Sequence, residues 1–395
     1  MLRQRRRAGF ALAIIGGGVI ALLLSGGFIQ WVLDTMREST IYSQLGHIQV
    51  VRPDFHTKGI SDPYKYLLPQ GSAEEARIRE APSVVAVTPR LSLVGVISLG
   101  EATLSFMGDG VDPVGEAHFS KYFLIDKGER LSVDDPTGII IGQGLAANLG
   151  AKVGDKLVVL TKTVRGGLNA HDVHIRGVFY TANKAYDDGA IQMPIELARK
   201  LVQVNGATSW LVVLDSTDNT DTTLAGLRGM LDPKAFELVP WYDLADFYKK
   251  TVVLFMRQVL VVKLLIGIVI VLSISNTLSM AVMERTNEIG TAMALGVRRL
   301  GILRQFVFEG VFLGVLGGGL GATIGWLLSL LISAIGIPMP PPPGMNQGFT
   351  GQITVTGSMA MDALLVAIVT TLLASIVPAW KASRMIIVDA LRHLR

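Results

Sequence analysis

The chain has 395 residues, 50% of them hydrophobic and only 17% charged, with a formal net charge of +4 and a mean hydropathy of +0.46. That balance is too apolar for a soluble protein of this size and makes a bilayer the first hypothesis, while the small net charge gives no sign of nucleic-acid binding. Cysteine is absent, which excludes disulfides, thiolate metal sites, a cysteine nucleophile and a lipidated N-terminal cysteine.

The apolar residues concentrate at 9–33, 252–282, 303–336 and 358–380, each run long enough to cross roughly 30 Å of hydrocarbon as a helix. The expected fold class is an α-helical membrane domain of four transmembrane helices, one plus three, with a large α/β extracytoplasmic domain between the first two. The first span follows "RQRRR". It reads better as an uncleaved anchor than as a signal peptide, because the apolar run is long and no A-x-A-like site precedes the polar segment from Asp34. Arg3, Arg5, Arg6 and Arg7 precede span one; Arg285, Arg298, Arg299 and Arg304 lie between spans two and three; Lys381, Arg384, Arg392 and Arg395 follow span four. The loop 337–357 carries no Lys or Arg. All three basic clusters fall on one side of a four-span chain, so both termini are expected in the cytoplasm and residues 34–250 outside.

In the external block, 46–53 alternates as a strand ending at a proline, and Ser72 is placed to cap a short helix. Strands are expected at 84–87 and, after a break at Pro89, at 91–99. Downstream, 210–214 reads as a strand, 220–231 as a helix and 236–239 as a strand. Two similar strand–helix–strand units far apart in sequence suggest a split α/β domain, with halves at 34–114 and 206–250. The intervening 115–205 reads as a β-rich insertion: strand 138–141, helix 144–149 closed by Gly150, a turn at 153–155, strand 156–160, and a hairpin across a Gly-Gly loop. "HDVH" places His171 and His174 on opposite faces of a strand, with no third His or Cys nearby, so no metal site is expected. The sequence contains no G-x-x-x-x-G-K-[ST] loop, G-x-S-x-G elbow or H-E-x-x-H pair, and no catalytic residue is assigned.

In span two, Lys263 needs a partner or a route to the interface, as does Glu309 at the start of span three, and Asn276 is a candidate interhelical hydrogen bonder. Span three is crowded with glycine. Gly317, Gly321 and Gly325 stand at small-xxx-small spacing, which suits either packing within one subunit or a subunit interface. Between these spans, 283–302 is charged and helix-compatible. Arg285 and Glu288 can pair at i,i+3, and Ile289, Ala292, Met293 and Gly296 mark an apolar face. Periodicity alone leaves two readings open: a helix lying on the anionic leaflet, or a docking helix for a cytoplasmic protein.

"MERTNEIGTAMALGVRRLGILRQFVFEG" resembles the signature of the FtsX/MacB/LolC-type permeases of ABC transporters, matching at Glu284, Arg285, Glu288, Ile289, Gly290, Ala294, Leu295, Gly296 and Ile302. "SIVPAWKASRMIIVDALRHLR" resembles the family's ending at Pro378, Ala379, Ala382, Ala390, Leu391 and Arg392, with Val388 in place of a second proline. "LAANLGAKVGDKLVV" resembles the periplasmic segment of the LolC/LolE and MacB groups. The resemblance implies a mechanotransmission permease, non-enzymatic itself, in the bacterial inner membrane. It implies a second permease protomer, as homo- or heterodimer, and a separate ATPase subunit that binds the ATP and magnesium, with no cofactor in this chain. It further implies that 283–302 is a cytoplasmic coupling helix, and that 34–114 with 206–250 is a porter-like part.

Within the family the LolC/LolE-like branch fits the chain length and the "LGHIQVVRP" that follows span one, so the extraction of lipoproteins or lipid-like amphiphiles is expected. A MacB-like efflux permease with an adaptor and an FtsX-like regulator of a periplasmic hydrolase are the alternatives. The piece corresponding to the carrier-recruiting hook, 161–172, is short and lacks proline, so a periplasmic carrier or an adaptor is an open partner. The expected substrate surface is the outer half of span one with the start of span two, Phe28, Trp31 and Val32 facing Val253, Phe255 and Met256. The other reading of these residues is interface-belt aromatics and packing.

Overall fold

In the computed structural model the chain divides into a helical unit, Met1–Asp34, Thr251–Pro338 and Thr350–Arg395, and an α/β unit, Thr35–Lys250 with Met339–Phe349. The structure describes residues 2–59, 62–119, 123–181, 184–340 and 349–385. Ala390, Leu391, Arg392, Arg395 and Val388 lie outside the described residues.

Among the described residues four helices are long and apolar enough to cross a membrane: α1 (Leu2–Thr40), α6 (Asp246–Glu284), α8 (Arg299–Ile335) and α9 (Gly357–Ser383). α1 and α6 have 39 residues each, roughly 58 Å of helix and nearly twice the hydrocarbon thickness. Both therefore continue well past the span expected from the apolar run alone. Ala11, Ile15, Val19 and Leu23 form one ridge of α1 at i+4 spacing, packed with Ile270 and Ile274 of α6 and Ala363 and Ala367 of α9. Lipid supplies no hydrophobic drive for helix association, so close backbone approach has to hold the bundle. α8 provides two such faces. A Cβ on Gly317 would meet Ile15 at 2.9 Å, and one on Gly321 would meet the Gly16 carbonyl of α1 at 2.7 Å. On the neighbouring face, Gly310 and Gly314 are closed by Ser375 and Thr371 of α9 at 2.6 and 2.2 Å.

The α/β unit is built on strands β1 (Ile48–Val51), β2 (Val84–Leu99), β3 (Ala102–Val111), β4 (Leu124–Gly128), β5 (Gly138–Gly142), β6 (Lys156–Lys162), β7 (Leu168–Tyr180), β8 (Ala190–Pro194), β9 (Ser209–Leu214) and β10 (Glu237–Pro240). One lobe is the sheet β10-β1-β9-β2 with α2 (Ala73–Arg79) and α5 (Thr220–Met230). Its core holds Ile48, Val50, Trp210, Val212, Leu224 and Leu227. The Ser72 hydroxyl caps α2, accepting the Glu75 amide at 3.2 Å.

The second lobe is a closed ring of six strands, β2-β3-β8-β5-β7-β6 and back to β2. Closure leaves no open edge on these strands and encloses Leu93, Ile97, Phe106, Ile139, Val159 and Ile191. Two helices, α3 (Gln143–Leu149) and α4 (Ile195–Val202), complete that core. The β-rich part expected at 115–205 thus closes with β2 and β3 from upstream of that range, because β2 is 16 residues long and serves both lobes. β2 also runs unbroken through Pro89, where a break is expected. The Arg90 carbonyl accepts the Thr208 amide at 2.7 Å on the β9 side, so the nitrogen of Pro89 points the opposite way. There β3 has ended, its pairing starting at Arg90, and no ladder donor is missed.

Within the α/β unit, the end of α1 and the segment that leads into α6 pack on the β10-β1-β9 strands. α1 widens into a π-helical turn, Ile41–Leu45. Ile41 is packed with Trp241 and Ala245, just ahead of α6, and the Trp241 amide donates to the His47 carbonyl at 3.0 Å. Arg90, buried beside Glu116 at 3.0 Å, donates to the Gln44 carbonyl at 2.9 Å and lies over the Phe119 ring. His47 Nδ1 accepts the Leu214 amide at 3.1 Å, and its Nε2 is 3.2 Å from the Thr217 hydroxyl, which donates to Glu38 at 3.0 Å. Burial, with Arg37 nearby, brings the His47 pKa down to about 4 against the pull of Asp215.

Because the folded-state pKa of His47 is depressed below 6.5, the unfolded chain takes the proton first, and stability present above pH 6.5 is lost as the pH falls through about 4. The loss approaches roughly 3 kcal/mol as an upper figure. His47→Asn keeps an acceptor for the Leu214 amide without the titration. Thermal unfolding between pH 7 and 4 is expected to show a shallower pH slope for the variant, and equal slopes would refute the assignment.

Candidate functional site

The segment after α6 is a helix–turn rather than one helix over 283–302. α6 stops at Glu284, and α7 spans Thr286–Ala294. At the joint the Thr286 hydroxyl donates back to the Val282 and Met283 carbonyls at 3.1 and 2.8 Å, which competes with helical continuation. α7 ends in a Schellman motif: the Val297 amide donates to the Ala292 carbonyl and the Gly296 amide to the Met293 carbonyl, both at 3.1 Å. Gly296 has φ +96°, a left-handed backbone that glycine adopts without strain. Arg298 precedes α8, Arg299 begins it and Arg304 lies one turn in.

This geometry sorts the eight residues expected to form the coupling site. Ile289 and Gly290 face inward, and with Met293 they pack against Val282, Ile302, Phe306 and Ala379. Arg285 reaches Glu309 of α8 at 3.6 Å rather than Glu288, since it sits at the joint before α7 and not on the face that carries Glu288. That contact also supplies the partner Glu309 requires. Gly296 makes the turn. Glu284, Glu288, Ala294 and Leu295 are exposed, and Leu295 is 82% exposed with Met283 at 76%. The outer face therefore combines two carboxylates with protruding apolar side chains.

Of the residues expected to line a substrate groove, Phe28 and Trp31 stack with centroids 6.3 Å apart, while Val253 and Met256 are exposed on α6 and Phe255 is half-buried. α1 and α6 meet deeper, where a Cβ on Gly18 would touch Ile266 at 3.0 Å and Ile270 at 3.1 Å. Phe28 lies roughly 15 Å and Phe255 roughly 16–22 Å outward of that contact along their helices, so both sit on its outer side. Gly317, Gly321 and Gly325 all face α1 of the same chain. Lys263 pairs with Asp362 of α9, a span-four carboxylate that sequence reasoning passed over because Asp362 sits inside an apolar run without a motif. Asn276 is exposed on α6. His174 bonds Asp135 at 2.9 Å, as does Arg176 at 3.1 Å.

Residues 8–230 match the MacB-like periplasmic core domain family, and residues 260–387 match the FtsX-like permease C-terminal family. The chain belongs to the MacB-like and FtsX-like permeases. It is an ABC transporter permease of that type, with membrane-spanning helices and an extracytoplasmic α/β domain. It is 31% identical to the macrolide export ATP-binding/permease protein MacB of Syntrophobacter fumaroxidans over 41% of this chain, so it spans about a fifth (21%) of that relative. It is 24% identical to the lipoprotein-releasing system transmembrane protein LolC of Neisseria meningitidis, over 78% of this chain and 75% of that protein. The crystal structure of the periplasmic region of MacB from Actinobacillus actinomycetemcomitans aligns at 13% identity over 56% of this chain and 97% of that one, with a TM-score of 0.38.

The split between the faces of α7 has a measurable consequence. Ile289→Asp places an unpaired carboxylate in a packed site and is expected to cost several kcal/mol, roughly 3 or more. Leu295→Asp is expected to stay within about 0.5 kcal/mol. Thermal unfolding of the detergent-solubilised chain checks this, and equal losses would contradict the assigned faces.

Proposed function

We propose that this permease couples ATP hydrolysis by a separate ATPase subunit to movement of its extracytoplasmic domain, and that its cargo is lipoproteins or other acylated amphiphiles of the inner membrane. The observation that carries the reading is α7: a short helix packed into its own bundle by Ile289 and Met293, yet presenting Glu284, Glu288, Ala294 and Leu295 outward. A helix resting on lipid would turn its apolar side chains outward and its charges to water. Here the exposed carboxylates and Leu295 share one face, which suits a protein socket. Arg285–Glu309 ties the joint before α7 to α8.

The basic clusters support placing α7 and both termini in the cytoplasm and the α/β domain in the periplasm. The likeness to LolC over most of the chain supports lipoprotein cargo, with the Phe28/Phe255 region of α1 and α6 as the entry from the outer leaflet. A hollow of about 700 Å³ on the barrel lobe, lined by Val94, Val96, Met107, Leu160 and Leu168, supports a periplasmic carrier or adaptor that covers exposed apolar surface. The match to MacB favours a second reading, efflux through an adaptor, in the same machine. A second protomer completes either assembly.

Coexpression with the candidate ATPase tests the coupling. Glu288→Lys and Leu295→Asp, both on the exposed face, are expected to abolish copurifying ATPase activity while the permease still inserts. Retained complex and export would refute the role. For cargo, Phe28→Ser or Phe255→Ser is expected to cut release of an acylated lipoprotein from proteoliposomes with ATPase binding intact, and unchanged release would remove the groove.

A further inference from the structure

A second apolar surface on α6, away from the Phe28/Phe255 region, has no part in the mechanism above. Between α6 and α9 runs an open groove of about 550 Å³. Leu264, Ile268 and Leu272 form one wall and Leu365, Val369 and Leu373 the other. The groove follows the helix axes from Lys263 to Leu272, roughly 13–14 Å of rise. At one end lies the only polar lining group with a charge, Lys263, paired with Asp362. Neither side chain is shut away: Lys263 is 33% and Asp362 54% exposed.

We propose that this groove holds one acyl chain of a phospholipid whose headgroup carries both a phosphate and a primary ammonium, with the phosphate on Lys263 and the ammonium on Asp362. Three observations support that occupant. The walls are aliphatic and parallel to the direction in which bilayer chains lie. Asp362 is five residues into α9 (Gly357–Ser383), about 8 Å from the helix start, so the ion pair lies in the outer part of the span, roughly 12 Å along α6 inward of Phe255, rather than at mid-membrane. The pair also has unused hydrogen-bonding capacity. A lysine ammonium has three donors and a carboxylate accepts about four bonds, so one contact between them leaves most of that capacity available to a headgroup. A zwitterion matches this pair charge for charge. A quaternary-ammonium headgroup cannot donate to Asp362, and a headgroup with only a phosphate leaves Asp362 unmatched and adds net negative charge beside it.

Native mass spectrometry of the full-length chain, delipidated in detergent and titrated with dioleoyl phosphatidylethanolamine, phosphatidylglycerol and phosphatidylcholine, tests this. The wild type is expected to retain one phosphatidylethanolamine per chain, with the other two bound roughly tenfold more weakly, the effect of losing a charge-assisted hydrogen bond. Because K263M alone orphans Asp362, the headgroup test uses the K263M/D362N pair, which is expected to bind all three lipids alike. I268W fills the groove without touching the ion pair and is expected to lose all three. Equal retention of the three lipids by the wild type, or unchanged phosphatidylethanolamine binding in both variants, overturns the proposal. So does near-complete disulfide cross-linking of I268C between copies in membranes, which would put a second chain in the groove; the absence of native cysteine makes that result unambiguous.

Discussion

Within hydrocarbon, helices stay together only where their surfaces fit closely, because burying one apolar side chain against another gains little over burying it in lipid. That constraint falls on α8. Its Gly317–Gly321–Gly325 face admits the backbone of α1, and its Gly310–Gly314 face admits α9. Any side chain at these positions pushes the backbones apart. α1, α8 and α9 are therefore one close-packed block. α6 is held differently: only 17% of its most apolar stretch is buried, against 33% for α1 and α9. It packs through one narrow stripe, Gly267, Ile270, Ile274, Leu278 and Val282, with Gly18 of α1 and Thr370 of α9 against it, and most of its other surface faces outward.

The least-held helix is also the one that carries both ends of the mechanism. At one end α6 passes through the Thr286 joint into α7. At the other it begins at Asp246, just after Trp241 and the β10 strand that pairs with β1. Being a single 39-residue helix, it has no internal joint at which displacement could dissipate. α1 meets the same sheet edge through Ile41–Leu45 and the Glu38–Thr217–His47 chain of hydrogen bonds.

The spanning helices were legible because hydropathy over some twenty residues is a strong signal, and the strands because alternation and glycine turns are local. Ser72, Gly150 and the hairpin around Gly166–Gly167 are such features. What the chain pattern did not disclose is long-range. Closure of the barrel depends on β2 pairing with β6, Gly95 with Thr161 through Ser98 with Val158, far apart in sequence, and nothing local marks it. Pro89 misled because its effect on a strand depends on which side its nitrogen faces. At the candidate site, the motif located α7 but not its faces. Arg285 could reach Glu288 by helical spacing, yet the joint at Thr286 turned it to Glu309. Asp362 carried no signal because a lone acid in an apolar run is explained only by the lysine it meets.

The central claim is that α6 moves against a fixed α1–α8–α9 block when the ATPase closes. Spin-label distance measurement on the cysteine-free chain in complex with its ATPase tests it, with one label pair at M280C on α6 and L316C on α8, and a second at L327C on α8 and L365C on α9. Trapping the ATPase in its closed state is predicted to shift the first distance and leave the second unchanged. A shift in the α8–α9 pair with none in the α6–α8 pair would contradict the account.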